Sequence, residues 1–269
     1  RLCRQVDLRH LPGERIEGEL KKALLKADNP SIFFEVLRNM EQLDVWFPEL
    51  KALIGVGQHA LYHAEGDVWN HTMMVLDEAA KLRHRTENPY WFMLSALVHD
   101  FGKAVSTVEK EGILHAYSHE IDGLPLVDAF LRRITTESKL IRYVKNMTEL
   151  HMKPNTMAHA NSAPKVTTKL FDQSVDPEGL ICLALADDRG RISTRPAEST
   201  ESFLYERLTL FRELMAKPYV MGRDLIEAGL TPGAEFTKIL EYAHKLRLAG
   251  VDKESALKQT LGYARSLKG

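Results

Sequence analysis

The sequence predicts an all-α protein, and three observations support this fold class. Apolar residues recur at helical spacing along most of the chain, as they do in helices that bury one face. Few segments show the alternation of apolar and polar residues that is typical of strands. Helix-terminating residues such as Pro30 and Gly102 fall between the periodic stretches. With 269 residues, the chain is long enough for a sizeable core in one large or two small domains.

The N-terminal part is predicted to contain short helices followed by a loop. Helical spacing between Pro12 and Asn39 predicts two helices, and Asn29-Pro30-Ser31 separates them because proline favours a helix N terminus. A turn at Trp46-Phe47-Pro48-Glu49 leads into another short helix. Residues 56–66 contain two glycines and little periodicity, which predicts a loop.

The rest of the chain alternates between predicted helices and polar connections. The connections are a charged linker at 81–88, a hairpin or loop at 104–118, a long loop at 152–164 and a polar segment at 191–200. The helices are one that begins near Asp67, an apolar one that ends at His99, one with Pro125 in its first turn, and those at Leu140–Leu150, Lys165–Phe171, Leu180–Asp187, Glu201–Ala216, Thr237–Leu248 and Asp252–Leu267.

Composition excludes several classes of protein. The chain is 44% hydrophobic and 27% charged with a net charge of −1, which argues against a strongly basic nucleic-acid binder but not against a local basic patch. Cys3 and Cys182 lie far apart and form neither a disulfide framework nor a thiolate zinc site, so a reducing cytoplasm is expected. No apolar run reaches the ~20 residues that span a membrane. The chain opens without Met or a signal peptide, which suggests a fragment of a longer protein.

Two apolar helices that run directly into carboxylates carry the main functional signal. Leu94–Val98 precedes His99 and Asp100, and Leu183–Ala186 precedes Asp187. His71 lies on an amphipathic helix upstream. Two imidazoles and two carboxylates make a nitrogen and oxygen ligand set that suits a divalent cation, so we predict a metal site at His71, His99, Asp100 and Asp187. The alternative for His99 and Asp100 is that they lie exposed at a helix end, as a cap or in contact with solvent.

Further candidates for phosphate chemistry surround this set. Lys103 follows His99 by four residues, where an ammonium group can neutralise a phosphate oxygen or protonate a leaving oxygen, or else complement a helix C terminus. His119 and His151 are candidates to bind phosphate or a second metal, with polar loop histidines as the alternative. Arg189 can clamp a phosphate or simply end a helix. We interpret the remaining histidines as surface residues, apart from the less favoured candidate His115: His59, His63, His84, His159 and His244.

The order His71, His99-Asp100, Asp187 resembles the HD-domain superfamily of metal-dependent phosphohydrolases. Several segments together resemble one group, the bacterial CCA-adding tRNA nucleotidyltransferases that carry a C-terminal HD domain: Leu11–Leu20, Asn29–Leu37, Trp46–Leu50, His99–Lys103, Ala186–Arg191 and Gly222–Gly233. The resemblance covers nearly the whole chain. Family members often have glycine before the third histidine, where this chain has Ser118. The Gly-Gly-x-x-Arg-Asp stretch and the D-x-D pair of the family's nucleotidyltransferase head do not occur in this sequence.

The resemblance implies an HD-domain helical bundle with a helical neck and a C-terminal helical tail. We expect an RNA-binding neck at 1–55, a phosphohydrolase domain at 56–195 and a tRNA-binding tail at 196–269. The implied activity is hydrolysis of 2′,3′-cyclic nucleotides, 2′-nucleotides or phosphorylated RNA ends with a divalent metal ion (Mg, Mn, Ni or Co), in a protein that matures or repairs tRNA 3′ ends. The alternative is a non-catalytic tRNA-binding module with a vestigial HD site. The oligomeric state stays open.

Overall fold

The computed structural model describes residues 6–59, 63–192 and 200–267. It confirms the all-α class, because strands in these ranges are confined to one antiparallel hairpin of β1 (Thr107–Lys110) and β2 (Ile113–Ala116). The helices are α1 (Gly13–Lys26), α2 (Ser31–Asn39), α3 (Leu43–Trp46), α4 (Pro48–Lys51), α5 (Val68–Leu82), α6 (Pro89–Val98), α7 (Lys103–Ser106), α8 (His119–Asp122), α9 (Leu124–Ile134), α10 (Ser138–Leu150), α11 (Met152–His159), α12 (Pro164–Gln173), α13 (Pro177–Arg189), α14 (Glu201–Ala216), α15 (Gly222–Glu227), α16 (Phe236–Leu248) and α17 (Lys253–Ser266). None of the helices in these ranges combines the length and the apolar character needed to cross a bilayer.

The chain divides into two compact units. The first consists of Arg1–Asn161 with Gln173–Leu204, and the second of Ser162–Asp172 with Tyr205–Gly269. The polar connection predicted at 191–200 falls mostly on residues 193–199, which lie outside the described residues. The boundaries proposed from the sequence at residues 55 and 195 stay a prediction.

The core of the first unit is built from helices that are apolar on most sides. α5 packs against α6 and α13, and α6 also packs against α10 and α1. Eight of the ten residues of α6 are buried, as are nine of the thirteen in α13. Large aromatic side chains such as Trp69, Phe92 and Phe130 fill the space between the helices. Side chains at the ends of α6 and α13 are therefore delivered into a region that excludes water.

Side chains on neighbouring residues fix where these helices begin. Asp67 caps α5, since its carboxylate accepts a hydrogen bond from the Asn70 N–H at 2.9 Å. Asp176 caps α13 in the same way through the Gly179 N–H at 2.8 Å, with proline in the first turn. α6 also begins with proline. Each start signal lies next to a helix that carries a candidate ligand, so local capping sets the register of the site.

The long loop predicted at 152–164 was wrong, because residues 152–159 form α11. Pro154 falls in the first turn, where backbone N–H groups have no partner within the helix, so the proline costs no hydrogen bond. Asn155 is buried rather than exposed: its amide donates to the Ala184 carbonyl at 2.8 Å and accepts from the Thr200 hydroxyl at 3.0 Å. Contacts distant in sequence therefore stabilise a helix whose own residues suggest a loop.

The second unit has a small core of its own. Buried residues of α15, α16 and α17 form it together with Val220. Asp252 caps α17 through the Ser255 N–H at 2.9 Å. His244 Nε2 of α16 lies 2.9 Å from Asp172 Oδ1 of α12, so a hydrogen bond accompanies the apolar contacts. The helices predicted for this part of the chain are confirmed.

We predict that Gly102→Ala destabilises the fold by about 1–3 kcal/mol, because the added methyl group has no space. A Cβ at this position would lie 1.9 Å from the His119 carbonyl oxygen and 2.7 Å from the Gly123 nitrogen. Both are backbone atoms of the segment that follows the hairpin, so neither moves aside easily. Urea denaturation at equilibrium measures the change.

The matched control is Gly18→Ala in α1, where a Cβ meets no atom within 4 Å. This change should leave stability unaltered or raise it by roughly 0.5–1 kcal/mol, since alanine favours a helix more than glycine does. Equal denaturation midpoints for Gly102→Ala and the wild-type protein would contradict the close approach at Gly102.

Candidate metal centre

The four candidate ligands come from three helices and meet in the core of the first unit. His71 lies in the first turns of α5, His99 and Asp100 follow α6, and Asp187 lies near the end of α13. All four side chains are buried. The Nε2 atom of His71 lies 3.0 Å from Asp187 Oδ1 and 3.6 Å from Asp100 Oδ2. His99 Nε2 lies 3.3 Å from the same oxygen of Asp100. The structure therefore brings the four residues together.

A second group of donor atoms adjoins the first through Asp100. His119 Nε2 lies 3.2 Å and His151 Nε2 lies 3.7 Å from Asp100 Oδ1. The two histidine Nε2 atoms are 3.4 Å apart. Each set of three, His71 with His99 and Asp187 or Asp100 with His119 and His151, has ligand atoms within 4.8 Å of one another. Asp100 thus presents one oxygen to each group.

Backbone carbonyls orient three of the histidines. In each case the Nδ1–H donates to the carbonyl of the residue three positions earlier: His99 to Ala96 at 2.9 Å, His119 to Ala116 at 2.8 Å and His151 to Thr148 at 2.7 Å. A carbonyl only accepts, so the proton must be on Nδ1. The lone pair of each neutral ring is then on Nε2, the atom that faces Asp100.

Both carboxylates of the centre are ionised despite their burial. Burial alone would raise the pKa of Asp100, but nearby His99 and the Lys103 ammonium hold it well below its usual range. Lys103 Nζ lies 2.7 Å from Asp100 Oδ2. For Asp187, burial is outweighed by Arg191, whose Nη2 lies 3.0 Å from Oδ2, and the pKa again falls well below its usual range. Ionised carboxylates are the form that binds metal.

The pKa shifts of His71, His119 and His151 differ in direction. Burial and the neighbouring His99 and His119 lower the pKa of His151 to about 3, so this ring is neutral near pH 7. Burial also opposes protonation of His71 and His119, but the contacts with Asp187 and Asp100 prevail and raise the pKa of both rings. Protons on these two rings therefore compensate the negative charge of the carboxylates.

The chemistry of the donor set fits a divalent cation. Three buried atoms, His99 Nε2 and both oxygens of Asp100, have no well-aligned hydrogen bond to any described residue. Buried polar atoms without hydrogen bonds are costly, so they mark positions where a ligand is expected. Imidazole nitrogens and carboxylate oxygens together suit a divalent cation such as Mn, Fe, Ni, Co, Zn or Mg. The residues present therefore fit a divalent metal.

A cavity of about 360 Å³ opens onto the centre. Asp100, His119 and Asp187 reach it from the core, and Lys103 and Arg191 add positive charge to its wall. Leu114 and Met152 contribute apolar surface to its lining. Lys103 Nζ also donates to Gln58 Oε1 at 2.8 Å. A cavity with charged and apolar walls suits a small ligand that has both a charged and an apolar part.

Arg189 does not join this centre. Its Nη2 donates to Glu201 Oε2 at 2.7 Å, and its side chain is 41% exposed. Arg191, two residues further on, reaches Asp187 and lines the cavity instead. A role for Arg189 in phosphate binding stays a prediction that no contact of the described residues supports.

Glu65 and His63 were missed by the sequence analysis. The interpretation of His63 as a surface residue was wrong: its side chain is only 13% exposed, and its Nδ1 lies 2.6 Å from Glu65 Oε1. Glu65 Oε1 also lies 3.1 Å from His71 Nδ1. Burial opposes ionisation of Glu65, but these contacts lower its pKa below the usual range. The loop before α5 lacks periodicity, so its pattern could not identify Glu65 as a buried residue. The sequence feature that could have pointed to Glu65 is a carboxylate two residues before the Asp67 cap.

Comparison with known proteins agrees with this geometry. Residues 68–191 match the family model described as the HD domain. Residues 3–54 match the family described as "Probable RNA and SrmB- binding site of polymerase A". The fold and the ligand order therefore define the chain as an HD-domain protein with an adjacent RNA-binding-type segment.

Similar proteins with known names narrow the comparison to one group. A multifunctional CCA protein of Actinobacillus pleuropneumoniae (strain L20) is 32% identical over 91% of this chain, and one of Shewanella denitrificans is 34% identical over 94%. One of Mannheimia succiniciproducens is 35% identical over 69% of the chain. The chain is therefore similar to multifunctional CCA proteins over most of its length. It spans 58% of the length of the Actinobacillus relative, 59% of the Shewanella relative and 45% of the Mannheimia relative.

We predict that a divalent metal at about 100 times its dissociation constant stabilises the protein by about 2.7 kcal/mol. For a chain of this size the melting temperature should rise by roughly 5–10 °C. Differential scanning fluorimetry with Mn, Ni, Co and Mg, before and after dialysis against EDTA, measures the shift.

The variant His99→Ala should lose most of the metal-induced shift because it removes one ligand atom of the centre. His84→Ala is the matched control, since His84 is exposed and follows α5 at a distance from the ligands. A melting temperature that responds to metal equally in all three proteins would show that binding occurs elsewhere.

Proposed function

We propose that the HD domain of this chain is a metal-dependent phosphohydrolase that acts on 2′,3′-cyclic nucleotides, 2′-nucleotides or phosphorylated RNA ends. The observation that carries the proposal is the cavity, whose lining combines the carboxylates of Asp100 and Asp187 with the cations of Lys103 and Arg191. A phosphate group is an anion with several acceptor oxygens, and a site with both a metal centre and fixed cations complements it.

His71, His99, Asp100 and Asp187 are the proposed metal ligands. A divalent cation held there supplies Lewis-acid polarisation of a phosphoryl group and activates water as a nucleophile near neutral pH. The protein contributes burial, which keeps bulk water out, and fixed imidazole orientations, which keep the donor atoms in place without rearrangement.

Lys103 is the proposed phosphate-binding cation. Its ammonium group lies at the cavity wall between Asp100 and Gln58, with contacts of 2.7 Å and 2.8 Å. The contact with Gln58 is a hydrogen bond and the contact with Asp100 is an ion pair, so the ammonium group still has N–H available to donate to a phosphate oxygen. The charge of Lys103 then offsets the negative charge that develops on the phosphoryl oxygens in the transition state.

His119 is the proposed proton donor, and His151 supports it. His119 lines the cavity, and its raised pKa keeps a proton on Nε2 that can pass to the departing oxygen of the ester. His151 is fully buried and neutral, so we assign it to orientation of His119 and Asp100 rather than to proton transfer. The alternative role of these two histidines, as ligands of a second metal together with Asp100, uses the same atoms.

The RNA partner follows from the family. The relatives are named multifunctional CCA proteins, and residues 3–54 match an RNA-binding-type segment. We propose that this segment and the C-terminal helices bind tRNA, and that the substrate phosphate belongs to a tRNA end or to a nucleotide derived from one. Nucleotide addition to tRNA is proposed only for a protein that also has the nucleotidyltransferase head.

We predict hydrolysis of 2′,3′-cyclic nucleotides by the metal-loaded chain, with loss of most activity in Asp100→Ala, which removes the carboxylate shared by both groups of ligands. Lys103→Ala should keep the metal but lose about a hundredfold in rate, as expected when a charged or acid group is removed. Chromatographic detection of the released nucleotide, with Mg, Mn, Ni and Co supplied in turn, measures the rates.

Lys110→Ala is the control for Lys103→Ala, because Lys110 is an exposed lysine of β1 outside the cavity lining. It should hydrolyse the substrate at the wild-type rate. If protein with a demonstrably loaded centre turns over none of these substrates with any of the four metals, the phosphohydrolase proposal fails and the tRNA-binding module becomes the better interpretation.

That second candidate rests on the match of residues 3–54 and has a test of its own. The test variant replaces three exposed basic residues of α1 with glutamate: Arg15, Lys22 and Lys26. This charge reversal should weaken tRNA binding and reduce its salt dependence. Each lost phosphate contact lowers the slope of log affinity against log salt concentration by roughly 0.7–0.9. The control exchanges the same residues for the other basic type, which keeps the charge. Gel-shift titrations at several salt concentrations that show the same slope for both triple variants would exclude α1 from the tRNA contact.

A further inference from the structure

Glu65 is a buried carboxylate on a loop that the proposed mechanism does not use. It lies between His63 and the Asp67 cap of α5, and its side chain is only 1% exposed. A buried charge is costly unless polar groups surround it, so the contacts of Glu65 should reveal what holds it there.

Its two oxygens face different parts of the first unit. Oε1 lies 2.6 Å from His63 Nδ1 and 3.1 Å from His71 Nδ1. Oε2 accepts a hydrogen bond from the Ile192 N–H at 2.9 Å. The backbone carbonyl of Glu65 accepts from the Asn70 amide at 3.0 Å, which fixes the loop against the start of α5.

His71 differs from the other three histidines of the centre in the partner of its Nδ1 atom. His99, His119 and His151 each donate to a backbone carbonyl three residues earlier. His71 lies one turn into α5, and its Nδ1 faces the Glu65 carboxylate. The N–H direction departs from the line to Oε1, so this is an ion-pair contact rather than a well-aligned hydrogen bond. A carboxylate partner makes an imidazole a stronger ligand than a carbonyl partner does.

Glu65 also links His71 to the end of α13. The Ala64 N–H donates to the Ile192 carbonyl at 2.8 Å, alongside the bond from Ile192 to Glu65. Ile192 follows the helix that carries Asp187, and Asp187 is the residue that His71 Nε2 contacts. The Glu65 carboxylate therefore contacts both His71 on α5 and Ile192, which follows the helix that carries Asp187.

We propose that Glu65 is a positioning residue of the metal centre, which holds the proton of His71 on Nδ1, directs Nε2 toward Asp187 and Asp100, and fixes the distance between His71 and α13. The proposal rests on the proposed metal-dependent function, but it concerns metal affinity and so does not require turnover. Changes to carboxylates that contact a metal-binding histidine lower metal affinity by roughly 10- to 100-fold.

The experiment compares metal binding in four variants with the wild-type protein by isothermal titration calorimetry with Mn²⁺. Glu65→Ala removes every contact of the carboxylate and should raise the dissociation constant by about 10- to 100-fold. Glu65→Gln keeps an oxygen for His71 but offers an amide group to the Ile192 N–H. Its loss of metal affinity should therefore be smaller than that of Glu65→Ala. His63→Ala leaves the contact between Glu65 and His71 in place and should bind nearly as tightly as wild type. Glu78→Gln, on the same helix as His71, is the matched control.

A second readout separates positioning from loop anchoring. In ¹⁵N-labelled protein, at a pH high enough to leave the His71 ring neutral, the chemical shifts of the ring show which nitrogen carries the proton. The wild-type protein and Glu65→Gln should keep the proton on Nδ1, and Glu65→Ala should lose this preference while circular dichroism shows an intact helical fold. A residue that only anchors the loop would leave the tautomer unchanged.

The outcomes are distinguishable from those of the proposed function. Folded Glu65→Ala with wild-type affinity and an unchanged His71 tautomer overturns the positioning role. If Glu65→Ala does not fold, Glu65→Gln provides the test. Wild-type metal affinity together with an altered His71 tautomer in Glu65→Gln overturns the positioning role. Wild-type protein that binds Mn²⁺ and hydrolyses none of the substrates overturns the proposed function alone. Wild-type protein that binds no divalent metal overturns both.

Discussion

The ionised carboxylate of Asp100 in the middle of the core is the constraint on which the rest of the first unit depends. A charge in this position is tolerated only where partners surround it. The end of α6 delivers Asp100 beside Lys103, while α5, α8 and the end of α10 each bring an imidazole within 4 Å of one of its oxygens. Gly102, directly after this segment, allows the backbone of α8 to approach without the clash that any side chain would cause. The helices must therefore meet in this arrangement for the charge to be stable.

Helix ends solve a second problem, which is how to hold an imidazole in one orientation without adding further side chains. The last carbonyls of a helix have no partner within it. His99 and His151 follow α6 and α10, and each donates its Nδ1–H to one of these free carbonyls. The same hydrogen bond satisfies the helix end and fixes the tautomer. His119 obtains the equivalent carbonyl from β2, where Ser118 takes a φ of 56°. Glycine adopts that conformation without strain, so Ser118 carries a backbone cost that glycine at this position would avoid.

The sequence contained the parts of the site that depend on apolar periodicity. His99, Asp100 and Asp187 could be predicted because each directly follows a run of apolar residues, and the helices themselves could be predicted for the same reason. α11 could not, because its stability comes from Asn155, whose partners Ala184 and Thr200 lie about 30 and 45 residues further along the chain. The burial of Glu65 and His63 could not be predicted either, because a loop has no periodic pattern that shows which side chains point inward. Local patterns identify ligands on helices, whereas residues that orient ligands from loops depend on contacts that only the folded chain reveals.

The charges of the centre explain why a divalent cation suits it better than protons do. Asp100, Asp187 and Glu65 contribute three negative charges, and Lys103 and Arg191 contribute two positive charges close to them. The remaining negative charge raises the pKa of His71 and His119, so protons on Nε2 atoms restore the balance. A proton on Nε2 occupies the lone pair that a metal needs, so metal and protons compete for the same atoms. His71 is a proposed ligand whose Nδ1 faces a carboxylate, so a metal bound to this ring would displace only its Nε2 proton. His119 is the proposed proton donor rather than a ligand of that metal, so it would keep its Nε2 proton. On this proposal, the same centre exchanges a proton for a metal at one imidazole and retains a proton for catalysis at the other.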